Sequence, residues 1–268
     1  MLTKEQIDFF KENSYLRLEK VYSPEEVGEL SDELNYVIET FCTPGPGWGG
    51  PWRKKYMTED IDQKAQLIAI HELHHYSPAW ARAVLNRRLV GSIADLIGPD
   101  VELHHITLHA KGAEYGTPFP LHQDHPFYPH ENGQYLDAIV HIDATDEDNG
   151  CLRFLRGSHH LGALEHIREN SAPHLPTDQY RFEEAVSCPA NAGDVVLFSI
   201  HTIHGSALNR KPRLRRVVRF GYRNPHNRQV GGQALGRPGI MVHGVRPKVD
   251  GVAINPYGLW QPPPPAQK

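Results

Sequence analysis

From Val101 onward the chain is cut into short alternating segments, and no other feature restricts its fold so tightly. The segments run over 101–110, 135–143, 151–155, 193–204 and 214–222. Apolar and polar residues alternate in them, as in strands with one buried face. Turn formers separate them, as in Asp146-Glu147-Asp148-Asn149-Gly150 and Arg156-Gly157-Ser158. Many short strands bounded by turns predict a mostly-β chain, a sandwich or a barrel.

The first hundred residues read differently. Thr3 can cap a helix with Gln6 three positions on, and Ser23-Pro24-Glu25-Glu26 is a stronger start signal. Val27, Leu30, Leu34 and Val37 then repeat at helical spacing, and Tyr15-Leu16-Arg17-Leu18 alternates like a strand between the two helices. Helical spacing returns over 79–97. The stretch 43–51, with its prolines and glycines, must be a loop. Trp48, Trp52 and Arg53 are its candidates to close a pocket and meet a substrate. Residues 1–260 are expected to form one domain, and the proline-rich tail 261–268 to be extended or disordered.

Hydrophobic content of 39% and charged content of 22% fit an ordinary globular protein. A net charge of −4 without a basic block argues against a nucleic-acid partner. No apolar run approaches the roughly 18–20 residues of a membrane span, and the first residues lack a signal-peptide core. Three cysteines without metal-type spacing read as free thiols, so a cytoplasmic enzyme is expected. The 18 histidines outnumber the lysines, and histidine is the commonest metal ligand.

Two of them frame the chemistry. In a strand, residues two apart share a face, which predicts His122 and Asp124 side by side. His-x-Asp is common by chance, and a third donor is needed to close one face of an octahedral ion. The candidate is His204, beyond the apolar run 195–200. Two imidazoles and a carboxylate leave three positions open, which suits Fe(II) with a bidentate 2-oxo acid and O2. The far carboxylate of that cosubstrate needs a fixed cation, and the fork of arginine suits it better than lysine. Arg215 lies eleven residues after His204. Arg215 and Arg216 point to opposite faces of a strand, so only one reaches inward. Arg210, Arg213, Arg216 and Arg219 read as outward or rim charges.

These residues resemble the phytanoyl-CoA dioxygenase (PhyH) family, which includes ectoine hydroxylase. The family pattern is His-x-Asp, then a distal His with Ser two on, Asn five on and Arg eleven on. His122, Asp124, His204, Ser206, Asn209 and Arg215 match it in order and spacing. The segments 148–152 and 157–159, and the opening residues 2–27, are similar too. The resemblance implies a double-stranded β-helix (jelly-roll, cupin-like) core with flanking helices. It implies iron held by His122, Asp124 and His204. It places the distal carboxylate of 2-oxoglutarate on Arg215, with Ser206 assisting and Asn209 nearby. The implied reaction consumes O2 and 2-oxoglutarate, releases succinate and CO2, and oxidises a C–H bond of a small organic molecule, usually by hydroxylation. Asp124 argues against halogenation, because related halogenases lack the carboxylate. Two rivals are a cupin-type dioxygenase without 2-oxoglutarate and a silent binding domain. Arg215 weighs against the first and the intact triad against the second. The absence of a polybasic surface for a CoA phosphate favours a small metabolite or natural-product intermediate.

Other motifs compete. His71-Glu72-Leu73-His74-His75 fits the zinc-protease pattern H-E-x-x-H, but Pro78 follows, so it reads as the end of a helix at a surface or pocket edge. His105 and His109 share a strand face and are expected in the core or lining a cavity. His201, three before His204, falls on the other face of a strand. Phe127 and Tyr128 leave the metal motif directly and are candidate substrate walls.

Overall fold

The computed structural model describes residues 1–237 and 239–248; the tail 261–268 lies outside them. Helix α1 (Lys4–Asn13) starts at Thr3 and α2 (Pro24–Phe41) at Ser23, each with a complete capping box. Two short helices follow the glycine-rich loop, α3 (Arg53–Tyr56) and α4 (Glu59–Lys64). The helical spacing over 79–97 resolves into two helices, α5 (Pro78–Ala83) and α6 (Arg87–Ile97). The break has a local cause. The Asn86 side chain accepts from the Arg88 and Leu89 amides, which caps a new helix where one continuous helix was expected.

The strands are β1 (Tyr15–Leu18), β2 (Leu67–His71), β3 (Val101–Lys111), β4 (Phe119–His122), β5 (Tyr135–His141), β6 (Leu152–Phe154), β7 (Val186–Cys188), β8 (Val195–Ser199), β9 (His204–Ser206), β10 (Arg215–Arg223) and β11 (Ile240–His243). One sheet runs β1-β8-β5-β10-β3-β11, with β2 also paired to β3, and a second runs β4-β9-β6-β7. All the pairings are antiparallel. Two facing antiparallel sheets form a jelly-roll core. The expected strand 193–204 is broken in two. The chain turns at 200–203, where the Thr202 amide donates to the Ser199 carbonyl, and so crosses from the larger sheet into the smaller one.

Strand period sorts the larger sheet into two faces. On one, Val218, Phe220 and Tyr222 of β10 join Leu103 and Leu108 of β3 beneath Leu34 of α2 and Leu89, Ile93 and Ile97 of α6. Burying each large apolar side chain contributes about 1.5–3 kcal/mol. The other face carries Arg215, Val217 and Arg219, in register with Lys111, His109 and Thr107 of β3. One face therefore anchors the fold, and the opposite one presents chemistry to the smaller sheet.

Candidate active site

β4 and β9 pair with His122 opposite His204, and the two imidazole centroids lie 4.3 Å apart. The Nδ1–H of His122 donates to the Pro120 carbonyl (2.7 Å), and that of His204 to the Thr202 carbonyl (3.0 Å). Each imidazole is thus held in the tautomer that leaves Nε2 as an acceptor. That is the arrangement a metal-ligating histidine needs. Asp124 stands with them: its Oδ1 lies 3.5 Å from His122 Nε2 and its Oδ2 3.9 Å from His204 Nε2. All three side chains are buried, and their donor atoms fall within 4.8 Å of one another. The expected convergence is present, but Asp124 arrives by another route. β4 ends at His122, and Asp124 has helical backbone angles at the start of a short 3-10 turn, His125–Phe127. A turn, not the pleat of a strand, swings the carboxylate toward the imidazoles.

Electrostatics favour a cation here. Burial pushes His204 down to about 3, so its Nε2 lone pair is free at neutral pH. Burial alone would raise the Asp124 carboxyl, but Arg219, with His204 and His122, holds it well below the usual carboxylate range. Arg219 overturns its reading as a rim charge. It is buried and donates to Asp124 Oδ2 (3.0 Å) and to the Tyr128 hydroxyl (2.7 Å). The signal was available: counting two by two from Arg215 brings Arg219 to the same inward face. Arg216 does face outward, paired with Asp143.

A cavity of about 440 Å³ opens beside the triad. Arg215, Ser206, Phe127, His109 and Trp48 line it, as do apolar Ile139, Leu152, Phe198 and Val217. Arg215 is 4% exposed, and its recorded bond is to the Gly150 carbonyl at 3.3 Å. Its Nε has no partner, and it forms no salt bridge among the described residues. Burial lowers it to about 10. Its register neighbour Lys111, which sequence reasoning missed, is fully buried and donates to the Ser206 and Ala207 carbonyls.

Four expected site residues lie elsewhere. Tyr128 is fully buried behind the triad, its hydroxyl donating to Asp137. The Asn209 side chain donates to the Gly112 and Arg213 carbonyls, bracing the turn that leads into β10. Trp52 packs against Tyr56 and His174. Arg53 binds Asp62 and the carbonyls of Pro46 and Trp48, so both belong to the scaffold of the loop. Trp48 is the loop aromatic that reaches the metal side, 4.8 Å from the His122 ring and 5.1 Å from Phe127. The H-E-x-x-H motif is not one α-helix: its last three residues, Leu73–His75, form a short 3-10 turn. His71 ends β2 and lines the cavity, and Glu72 has φ 60. His201 lies outside the cavity, its ring against His125.

Buried neutral histidines outside the triad carry a stability consequence. Burial lowers His104 and His130 to about 3 and His141 to about 4. Their folded values lie below the ordinary value of about 6.5, so the unfolded chain takes up protons first as pH falls. Stability is full above that pH and erodes below it by roughly 1.4 kcal/mol per unit and group, or about 4 kcal/mol per unit for the three. A domain stabilised by about 5–10 kcal/mol should therefore unfold between about pH 4 and 5.3. Circular dichroism unchanged down to pH 3 would contradict this.

A profile described as phytanoyl-CoA dioxygenase (PhyH) matches residues 10–217. An ectoine dioxygenase of Bordetella bronchiseptica is 26% identical over 245 residues, 84% of this chain and 77% of that one. A 2-aminoethylphosphonate dioxygenase of an uncultured bacterium, HF130_AEPn_1, is 24% identical over 221 residues, covering 82% and 81%. The solved structure of a non-heme alpha-ketoglutarate-dependent carbocyclase, SnoK from nogalamycin biosynthesis, superposes with a TM-score of 0.70 at 21% identity. That match covers 87% of this chain and 88% of the other.

Proposed function

The chain belongs to the phytanoyl-CoA dioxygenase family, and from that premise we propose that it hydroxylates an unactivated C–H bond of a small organic metabolite, with residues 1–260 acting as one catalytic domain. His122, Asp124 and His204 would hold Fe(II), and Arg215 would hold 2-oxoglutarate. The observation that carries this reading is the pairing of a His-Asp-His cluster with a buried guanidinium that has no acid partner among the described residues, both in one cavity. A desolvated arginine with an orphaned N–H is costly unless an anion arrives. A dicarboxylate that reaches from the metal to Arg215 meets that need.

When bound, iron with O2 and 2-oxoglutarate supplies the oxidising chemistry, releasing succinate and CO2. The protein supplies placement and shelter. The Nδ1 bonds of His122 and His204 keep both Nε2 lone pairs aimed inward. Arg215, with Ser206 beside it, fixes the far end of the cosubstrate by a two-point grip. Ile139, Leu152, Phe198 and Val217 keep water from its carbon chain. Trp48 and Phe127 cover the imidazole side. His109, Gln233 and the pair His71–Thr107, bonded to each other at 3.1 Å, are the polar groups of the lining that face a substrate. Asp124 is the one acidic residue in the lining among the described residues, and Arg219 engages it. A cationic substrate therefore finds no free carboxylate there.

The test is protein reconstituted with Fe(II) under anaerobic conditions, then exposed to O2 with and without 2-oxoglutarate. Succinate should form only with all three present, slowly without substrate and faster when a metabolite extract supplies one. Oxygen uptake that ignores 2-oxoglutarate would favour a cupin-type dioxygenase instead.

A further inference from the structure

We propose that Arg219 is a positioning residue for Asp124, held in place by a one-way chain of hydrogen bonds from Gln229. This rests on the reading of His122, Asp124 and His204 as a metal centre. Gln229 Nε2 donates to the Gly231 carbonyl (2.7 Å) and the Gln233 carbonyl (2.5 Å), so its Oε1 is the acceptor. His104 Nε2, 3.0 Å from that oxygen, must carry the proton. The neutral ring then leaves His104 Nδ1 as an acceptor, 3.0 Å from His105 Nδ1 and 2.9 Å from the Tyr135 hydroxyl.

The other end imposes the same direction. Arginine only donates, so His105 Nε2, 2.9 Å from Arg219, is an acceptor and His105 Nδ1 carries the proton. Protons therefore point from Arg219 through His105 and His104 to Gln229 without conflict. A proton added to either ring would set two donors face to face. Burial keeps both imidazoles neutral.

The consequence falls on Asp124. Arg219 donates to Oδ2, which also lies 3.9 Å from His204 Nε2, and leaves Oδ1, 3.5 Å from His122 Nε2, free of that bond. With Oδ2 engaged by Arg219, the carboxylate would offer a metal one unencumbered oxygen and would leave the remaining positions for cosubstrate and O2. Partners of this kind typically change metal affinity by 10–100-fold. The chain also ends in the segment 229–233, whose Gln233 lines the cavity.

The experiment titrates Co(II) alone into metal-free protein, reading affinity by calorimetry and coordination by the visible absorption of Co(II). Arg219→Met should weaken binding about 10–100-fold and alter the absorption spectrum; Arg219→Lys, which keeps charge but not the fork, should fall between. Gln229→Leu should cost about threefold. A purely structural residue would lower the melting temperature of metal-free protein and leave Co(II) affinity and spectrum unchanged. That result in Arg219→Met, or in Arg219→Lys if the methionine variant does not fold, overturns the proposal. Unchanged affinity in Gln229→Leu overturns the part assigned to the chain. Wild-type protein that binds no Co(II) would sink the metal reading as well, whereas tight wild-type binding with indifferent variants sinks this inference alone.

Discussion

Replacing Asp124 with alanine is expected to reduce 2-oxoglutarate-dependent oxygen uptake by at least about a thousandfold, because one donor and the triad's only negative charge disappear together. A second effect has nothing to do with metal. Asp124 is the nearer carboxylate partner of buried Arg219, at 3.0 Å against 3.7 Å for Asp137, and its removal leaves that guanidinium only the more distant acid. Breaking a buried pair by deleting one member costs about 3–5 kcal/mol. The metal-free variant should melt about 10 °C below wild type. Asp124→Asn separates the two effects: it keeps the shape and an acceptor for Arg219 but loses the charge. Full turnover in Asp124→Ala, read with an oxygen electrode, would remove Asp124 from the centre.

Arg215→Met should do the reverse to stability. Its guanidinium is desolvated and has no acid partner among the described residues, so the change removes a buried charge that the fold must tolerate. The variant should melt at or above the wild-type temperature in the absence of ligand. Its 2-oxoglutarate requirement should rise steeply. Truncating one side of a buried, hydrogen-bonded charge pair costs about 2–5 kcal/mol, which is at least about thirtyfold in KM. The turnover rate at saturating cosubstrate should change less. Steady-state kinetics with 2-oxoglutarate as the varied component measures this. An unchanged KM would mean that another group holds the carboxylate.

The chemistry was more legible than the geometry that delivers it. His122, Asp124 and His204 are recognisable because the donor types and the guanidinium eleven residues later form a set with one purpose. Strand period put Arg215 and Arg216 on opposite faces, and the family resemblance chose Arg215 as the inward one. The same rule extended by four residues would have placed Arg219 inward, but a run of basic residues invites an outward reading. Tyr128 was misjudged because proximity in sequence to a ligand does not fix direction. The 3-10 turn at 125–127 sends Phe127 to the cavity and Tyr128 beneath it. Tertiary contacts also decided the break at Asn86 and the crossing at 200–203, where local pattern runs on without interruption.

The loop over 43–51 was expected to act as a cover, and Arg53 changes what kind. Its guanidinium clasps two carbonyls of the loop and a carboxylate on the next helix. Thr117 donates to the same Pro46 carbonyl, and Gly47, at φ 75, lies so close to Thr117 that an added Cβ would fall 2.8 Å from it. Braced by Arg53 and Thr117, the segment is a fixed visor, not a swinging door. Thr43, Ala69, His71 and Gln233 are among the cavity-lining residues that remain exposed. Molecules must come and go along that rim, so side chains there, more than the tryptophan on the visor, will decide which molecules are admitted.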